Sequence, residues 1–215
     1  MKFKDFYLIA GSICWLISLT SILLFKKPKY LKVFSFFILI SILVEWSAWY
    51  LGKKLHLNNL WLYNLYILAQ FSFLPNFYAY RLKSEKIEKF VRYFSVIYSL
   101  FYILNLFYIQ GFFTYNTYSY ITGMACVLFL IIIFFKRILL TANDINLFRE
   151  PLFFVSSAYF LFFTIELPYT AMLPYFAKHD KETGITLLWI IKILNIVLYL
   201  LFSFAFLCKP KTQAL

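Results

Sequence analysis

Apolar runs about twenty residues long recur along this chain, separated by short stretches that hold most of its Lys, Arg and Asn. Seven runs predict seven membrane-spanning helices, at about 6–25, 31–51, 60–80, 91–110, 118–140, 152–174 and 184–207. Each has the ~20 residues a helix needs to cross a hydrocarbon core. Strands are not expected, because open sheet edges are not tolerated in lipid and no ten-residue alternating pattern of a barrel is present. The short connections predict antiparallel neighbours. The fold class is therefore all-α: a polytopic membrane protein in a single domain, residues 1–215. No internal repeat of fixed period is visible, which speaks against an inverted-repeat transporter.

The first run reads as a retained span, not a cleaved signal. It is longer than the usual apolar core of a signal peptide, and Lys26-Lys27-Pro28-Lys29 closes it like a stop-transfer segment. Lys and Arg then set the orientation. Lys26, Lys27, Lys29, Lys32, Arg81, Lys83, Lys86, Lys89, Arg92, Lys136, Arg137, Arg149, Lys209 and Lys211 fall on one side, fourteen in all. Lys2, Lys4, Lys53, Lys54, Lys178 and Lys181 fall on the other, six in all. The positive-inside rule predicts the N-terminus outside and the C-terminus in the cytoplasm.

Composition sharpens this picture. The chain is 63% hydrophobic and 14% charged, with a mean hydropathy of +0.78. Soluble domains carry about 25% charged residues, so any function is expected in the helices or their short loops. The net charge of +12 does not point to nucleic acid, because the basic residues flank apolar spans, where they serve orientation and lipid headgroups. Lys outnumbers Arg 17 to 4, a coding bias that fits an AT-rich bacterial genome and a place in the cytoplasmic (inner) membrane. Cys14, Cys126 and Cys208 have no disulfide or metal spacing.

Candidate chemistry lies in the outer halves of the spans. Lys192 is about eight residues into the seventh span and Glu166 about eight from the outer end of the sixth, so each is expected ~12 Å deep. An opposite charge on a neighbouring helix removes most of the cost of burying either alone. Ionisable residues at such depth are functional candidates by default. Glu45 is expected ~9 Å deep. Asn64, Tyr66 and Gln70 follow on the third span, and Trp189, Lys192 and Asn195 on the seventh. Together Glu45, Asn64, Tyr66, Gln70, Glu166, Trp189, Lys192 and Asn195 form the predicted ligand-binding set. Polar residues thin out towards the inner halves, with Asn76 the main exception, which predicts a blind polar pocket opening outward and not a pore. Pro168, two residues after Glu166, predicts a kink bordering a cavity. Polar side chains that only hold helices together, and an aromatic belt of Trp46, Trp49, Trp61 and Trp189, are the plainer alternatives.

No GxSxG, HExxH or Walker A motif occurs, and the two histidines, His56 and His179, are too far apart to suggest a metal site. No catalytic residue and no cofactor is assigned. A lysine in a seventh helix raises the thought of a retinal Schiff base on Lys192, but the third span offers no Asp or Glu as counter-ion.

Asn58-Asn59-Leu60-Trp61-Leu62-Tyr63-Asn64-Leu65-Tyr66, with Glu45, Ile109-Gln110, Leu188-Trp189-Ile190-Ile191 and Asn195, resembles an uncharacterised seven-helix integral membrane protein family of Bacteroidota. In that family's pattern a glutamate stands at the position of Gln70 and a histidine at that of Lys192, and this chain departs at both. The resemblance implies a seven-helix fold and, through the sensor kinases that neighbour such proteins, a link to signalling.

The expected function is a non-enzymatic membrane sensor or small-ligand-binding protein. Its partners would be membrane lipids, a small anionic or amphipathic ligand, and a membrane signalling protein or complex. A structural or accessory subunit of a larger membrane complex is the second reading. An intramembrane lipid-modifying enzyme using Glu45 and Glu166 as acid and base is the third.

Overall fold

The computed structural model describes residues 5–140 and 147–208. Lys2, Lys4, Lys209 and Lys211, which entered the orientation count, lie outside them. The described residues form seven long helices: α1 (Phe6–Leu24), α2 (Lys29–Lys53), α3 (Leu60–Leu82), α4 (Glu85–Leu104), α5 (Thr117–Leu140), α6 (Pro151–His179) and α7 (Lys181–Leu207). A π turn, Asn105–Ile109, extends α4, and a 3₁₀ turn, Leu147–Arg149, precedes α6.

Six of the seven are long and apolar enough to cross a membrane, and α3 is not among them. Its 23 residues would span ~34 Å, so length is not what it lacks. Asn64, Gln70, Pro75, Asn76 and Arg81 lower its apolarity. The chain is thus an all-helical integral membrane protein with six candidate spans and a seventh, more polar helix.

The helices also run further than hydrophobicity alone predicts. α4 starts at Glu85, where the sequence predicts 91, and takes Lys86, Glu88 and Lys89 out of a loop and onto a helix. Ser84 occupies its N-cap position, and Glu85 and Glu88 lie in its first turn, where acids favour the helix dipole. A turn of two residues, Lys83 and Ser84, joins α3 to α4, with Lys83 left-handed at φ 44°. α6 and α7 are parted only by Asp180, where the sequence predicts a loop of about ten residues. Asp180 accepts a hydrogen bond from the Thr183 amide at 3.1 Å and so starts α7.

The described residues fall into two compact units. The first contains α1, the α2 residues up to Ile42, the end of α5 from Phe135, α6 and α7. Both α1 and α6 pack on α7. The face α1 buries is a column of mostly small residues, Leu8, Gly11, Cys14, Ser18 and Ser21, which lets helices approach closely. Ser18 and Ser35 hydrogen-bond at 2.7 Å, and Ser21 donates to the Phe206 carbonyl at 2.6 Å. Phe34 centres an aromatic core, with the rings of Phe202 at 5.0 Å, Tyr159 at 6.3 Å and Phe206 at 6.3 Å. Lys27, in the α1–α2 connection, is buried and donates to the carbonyls of Phe206 and Cys208, each at 2.6 Å. It caps the C-terminal end of α7, where a cation is favoured.

The second unit contains α2 from Leu43, α3, α4, the π turn and α5 as far as Phe134. Phe71 on α3 is its pivot, with ring centres at 6.2 Å from Tyr98 and 5.3 Å from Tyr120. Gly123 on α5 lies so close that a Cβ there would meet the Phe71 ring at 2.2 Å, so only glycine permits this approach of α3 and α5.

Candidate functional site

The predicted set divides between the units, and each half has its own geometry. In the first unit, Glu166 is buried on α6 and Lys192 half-buried on α7, the helix α6 packs against. Glu166 stands 14 residues before Asp180 and Lys192 stands 12 after it. Along the hairpin those are ~21 and ~18 Å from its tip, so the two residues lie at similar levels along it, further from the tip than the ~12 Å expected. The Lys192 ammonium is 5.7 Å from the centre of the Tyr7 ring on α1 and 5.8 Å from that of Trp189. Such placement over aromatic faces offsets part of the cost of removing an ammonium from water. Trp189 is exposed, while Asn195 donates to the Ile191 carbonyl at 3.0 Å and so spends its amide on its own helix.

A groove of about 250 Å³ opens between α6 and α7 in this region. Ile165, Pro168, Tyr169 and Met172 line it from α6, and Leu187 and Ile190 from α7. The lining is apolar except for the Tyr169 hydroxyl. Glu166 and Lys192 are the sequence neighbours of its lining residues Ile165 and Ile191. Pro168 does border a groove, yet the groove's lining is apolar, and neither Glu166 nor Lys192 is among its lining residues. The sequence did not single out this groove, because apolar residues at helical spacing look the same whether they line a groove or face lipid.

In the second unit, Tyr63 on α3 donates to the Glu45 carboxylate at 3.1 Å. Trp46 and Trp49, one and four residues after Glu45 on α2, have ring centres 5.8 Å apart. Tyr66 is half-buried and Gln70 buried. Asn64 is fully buried and works on the backbone of the α4–α5 turn. Its amide nitrogen donates to the carbonyls of Phe112 at 2.8 Å and Thr114 at 2.7 Å, and its oxygen accepts from the Asn116 amide at 3.1 Å. Its own carbonyl accepts from the Tyr102 hydroxyl at 2.6 Å.

Around it lies a polar network that sequence reasoning named only in part. The Asn105 amide nitrogen faces Gln110 and Ser119, each at 2.9 Å, and also the Asn116 oxygen. Gln110 in turn donates to Thr117 at 2.6 Å. One nitrogen with two hydrogens faces three acceptors, and the Asn105 oxygen is buried with no partner among the described residues. The network forms where α4 loosens into its π turn, with Gln110 N–H reaching back to the Asn105 carbonyl at 2.9 Å. Gly111 at φ +89° then turns the chain, a conformation that glycine adopts without strain. The clustered polar residues between Asn105 and Ser119 were the available signal.

Among the described residues, no three of His, Cys, Asp and Glu come together as a metal site would need. Compared with protein-family models, curated proteins and solved structures, the chain matches none. The family resemblance therefore rests on its short motifs alone.

Proposed function

We propose that this chain is a non-enzymatic binding or sensor protein of the bacterial cytoplasmic membrane. All seven helices cross the bilayer, with the N-terminus outside and the C-terminus in the cytoplasm. The ligand is amphipathic. Its hydrocarbon part lies in the α6–α7 groove, and its anionic group is drawn by Lys192, with Glu166 as the counter-charge that holds Lys192 in the absence of ligand. Glu45, Tyr66 and Gln70 in the second unit belong to the proposed binding set. Asn64 contributes through the α4–α5 turn that it clamps.

The observation that supports this reading is the groove, at the level where α6 carries Glu166 and α7 carries Lys192. Its volume of about 250 Å³ is below the ~300–1,000 Å³ of pockets that enclose a whole drug-sized molecule. It suits one acyl chain or one ring system. A ligand that separates Lys192 from Glu166 would favour a different α6–α7 arrangement, which is how occupancy would become a signal.

The test is native mass spectrometry of protein extracted gently from its own membrane, with Ile190→Trp to fill the groove and Lys192→Met to remove the charge. A bound small molecule reduced by both variants is the expected result. A bound protein unaffected by either would make the chain a structural subunit, and the charges would then serve only the fold.

A further inference from the structure

We infer that the outward face of α4 is a binding site for an anionic phospholipid, a conclusion that rests on the integral-membrane reading but not on the α6–α7 groove. Lys86, Lys89, Tyr93, Ile97, Leu100 and Leu104 all lie on this helix. At ~100° per residue they fall within an arc of ~80°, so they form one stripe along it. Every one of them is exposed, Tyr93 at 70%, Ile97 at 65% and Leu100 at 60%. The stripe is ordered by chemistry from end to end: two ammonium groups, then a phenol, then aliphatic side chains.

That order matches the layers of one lipid. A phosphate diester meets the lysines, the glycerol region meets an interfacial tyrosine, and the acyl chains lie along Ile97, Leu100 and Leu104. From Tyr93 to Leu104 is eleven residues, or ~16 Å, about half of the ~30 Å hydrocarbon core. A free phosphate would have no use for the lower part of the stripe, which is why a lipid is the fitting occupant.

The charge balance agrees. At the head of α4, the exposed Lys83, Lys86, Lys89 and Arg92 outnumber Glu85 and Glu88 by four to two. None of those four bases has an ion pair among the described residues. Glu88 lies ~160° around the helix from Lys86, off the stripe. Arg81 is buried and is no part of the site.

The test uses the full-length protein in nanodiscs or detergent, with phosphatidylglycerol and phosphatidylcholine as the two probes and native mass spectrometry to count bound lipid. Wild type should retain phosphatidylglycerol in preference to phosphatidylcholine, and raising the salt should reduce that preference. Each basic group at a membrane surface contributes about 1 kcal/mol to binding anionic lipid. Lys86→Gln with Lys89→Gln should therefore lower the preference by about tenfold to thirtyfold, and the Lys→Arg pair should keep it. Equal retention of both lipids by wild type, or an unchanged preference in the double Gln variant, would overturn the site. So would a dimer broken by Leu100→Trp, since the stripe would then be an interface between two copies. Carbonate extraction separates this from the membrane reading: a chain released into the soluble fraction would sink that reading itself, whereas a retained chain with no lipid preference sinks only the α4 site.

Discussion

At the scale of single residues, Glu166 and Lys192 on the α6–α7 hairpin behave differently from the amides. Glu166 and Lys192 are costly to bury, and their joint removal should be milder than the removal of one. Lys192→Met leaves a buried carboxylate behind and should cost about 2–3 kcal/mol, the low end for a broken buried pair because Lys192 is only half-buried. Adding Glu166→Gln should recover at least ~1 kcal/mol of that in thermal unfolding of the reconstituted protein. A double variant less stable than Lys192→Met alone would rule out Glu166 as the counter-charge. Asn64 offers a sharper case. Asn64→Leu unseats two carbonyls and one amide of the α4–α5 turn. With the buried Asn116 amide left unpaired at 1–3 kcal/mol and two carbonyls that water can reach at about 0.5 kcal/mol each, the cost should be about 2–4 kcal/mol. Hydrogen exchange should show the loss first at residues 112–116.

At the scale of elements, the ends of helices were harder to read from sequence than the helices themselves. The apolar runs located all seven helices, although only six carry the apolarity of a span and α3 falls short of it. Hydrophobicity stopped short at Glu85 and His179 because charged residues ended the runs, whereas acids in the first turn of α4 and bases in the last turn of α6 complement the helix dipole and let the backbone continue. Glu166 and Lys192 lie further from the hairpin tip than the ~12 Å that the shorter helices gave, but at similar levels, because α6 and α7 both lengthened towards Asp180. Asn64 was visible as a polar residue within an apolar run, but its targets are backbone groups of a turn, and a sequence shows no carbonyl directions. The Asp180 cap carries its own prediction. Hydrogen bonds from the Thr183 side chain and backbone amide hold its carboxyl below the ordinary aspartate value of 3.8. A depressed acid stabilises the folded state above its unfolded value and loses that contribution as pH falls through the folded one. The advantage of wild type over Asp180→Ala in protecting the Thr183 amide should be full well above pH 3.8 and be lost as the pH falls from there through the lower folded value. At the other end of α7, Lys27→Met leaves two carbonyls without their ammonium donor. It should cost about 1.5–3 kcal/mol, read as a lower unfolding temperature with early fraying near Cys208. In the second unit, Gly123→Ala drives a methyl into a Phe71 ring held by Tyr98 and Tyr120. It should cost 1–3 kcal/mol or more, and Phe71→Leu should recover part of the loss.

At the scale of the whole molecule, α3 decides the topology. If it crosses, seven spans place the termini on opposite sides. If it lies along the surface, six spans return the chain to the side on which it began, and the α2–α3 and α3–α4 connections share one side. Two physical arguments favour crossing. Its polar residues are largely spent inside the protein: Asn64 and Gln70 are buried, and Asn76 donates to the Ser72 carbonyl of its own helix at 2.8 Å. The turn at Lys83 and Ser84 is also tight, so α3 doubles back directly into α4, whose length and apolarity do qualify it as a span. A helical hairpin with one spanning arm fits best when the other spans beside it. Cysteines placed at Lys54 and Lys83, in a background with Cys208→Ser, distinguish the cases through labelling by a membrane-impermeant maleimide in intact cells. Crossing with the proposed orientation predicts labelling at position 54 and none at position 83 until the cells are opened. Equal labelling at both would leave α3 on the surface, reduce the count to six and remove the basis for setting the α4 basic cluster in the cytoplasm. The reverse pattern would keep seven spans and invert the protein, moving the groove's charged level to the inner half of the bilayer.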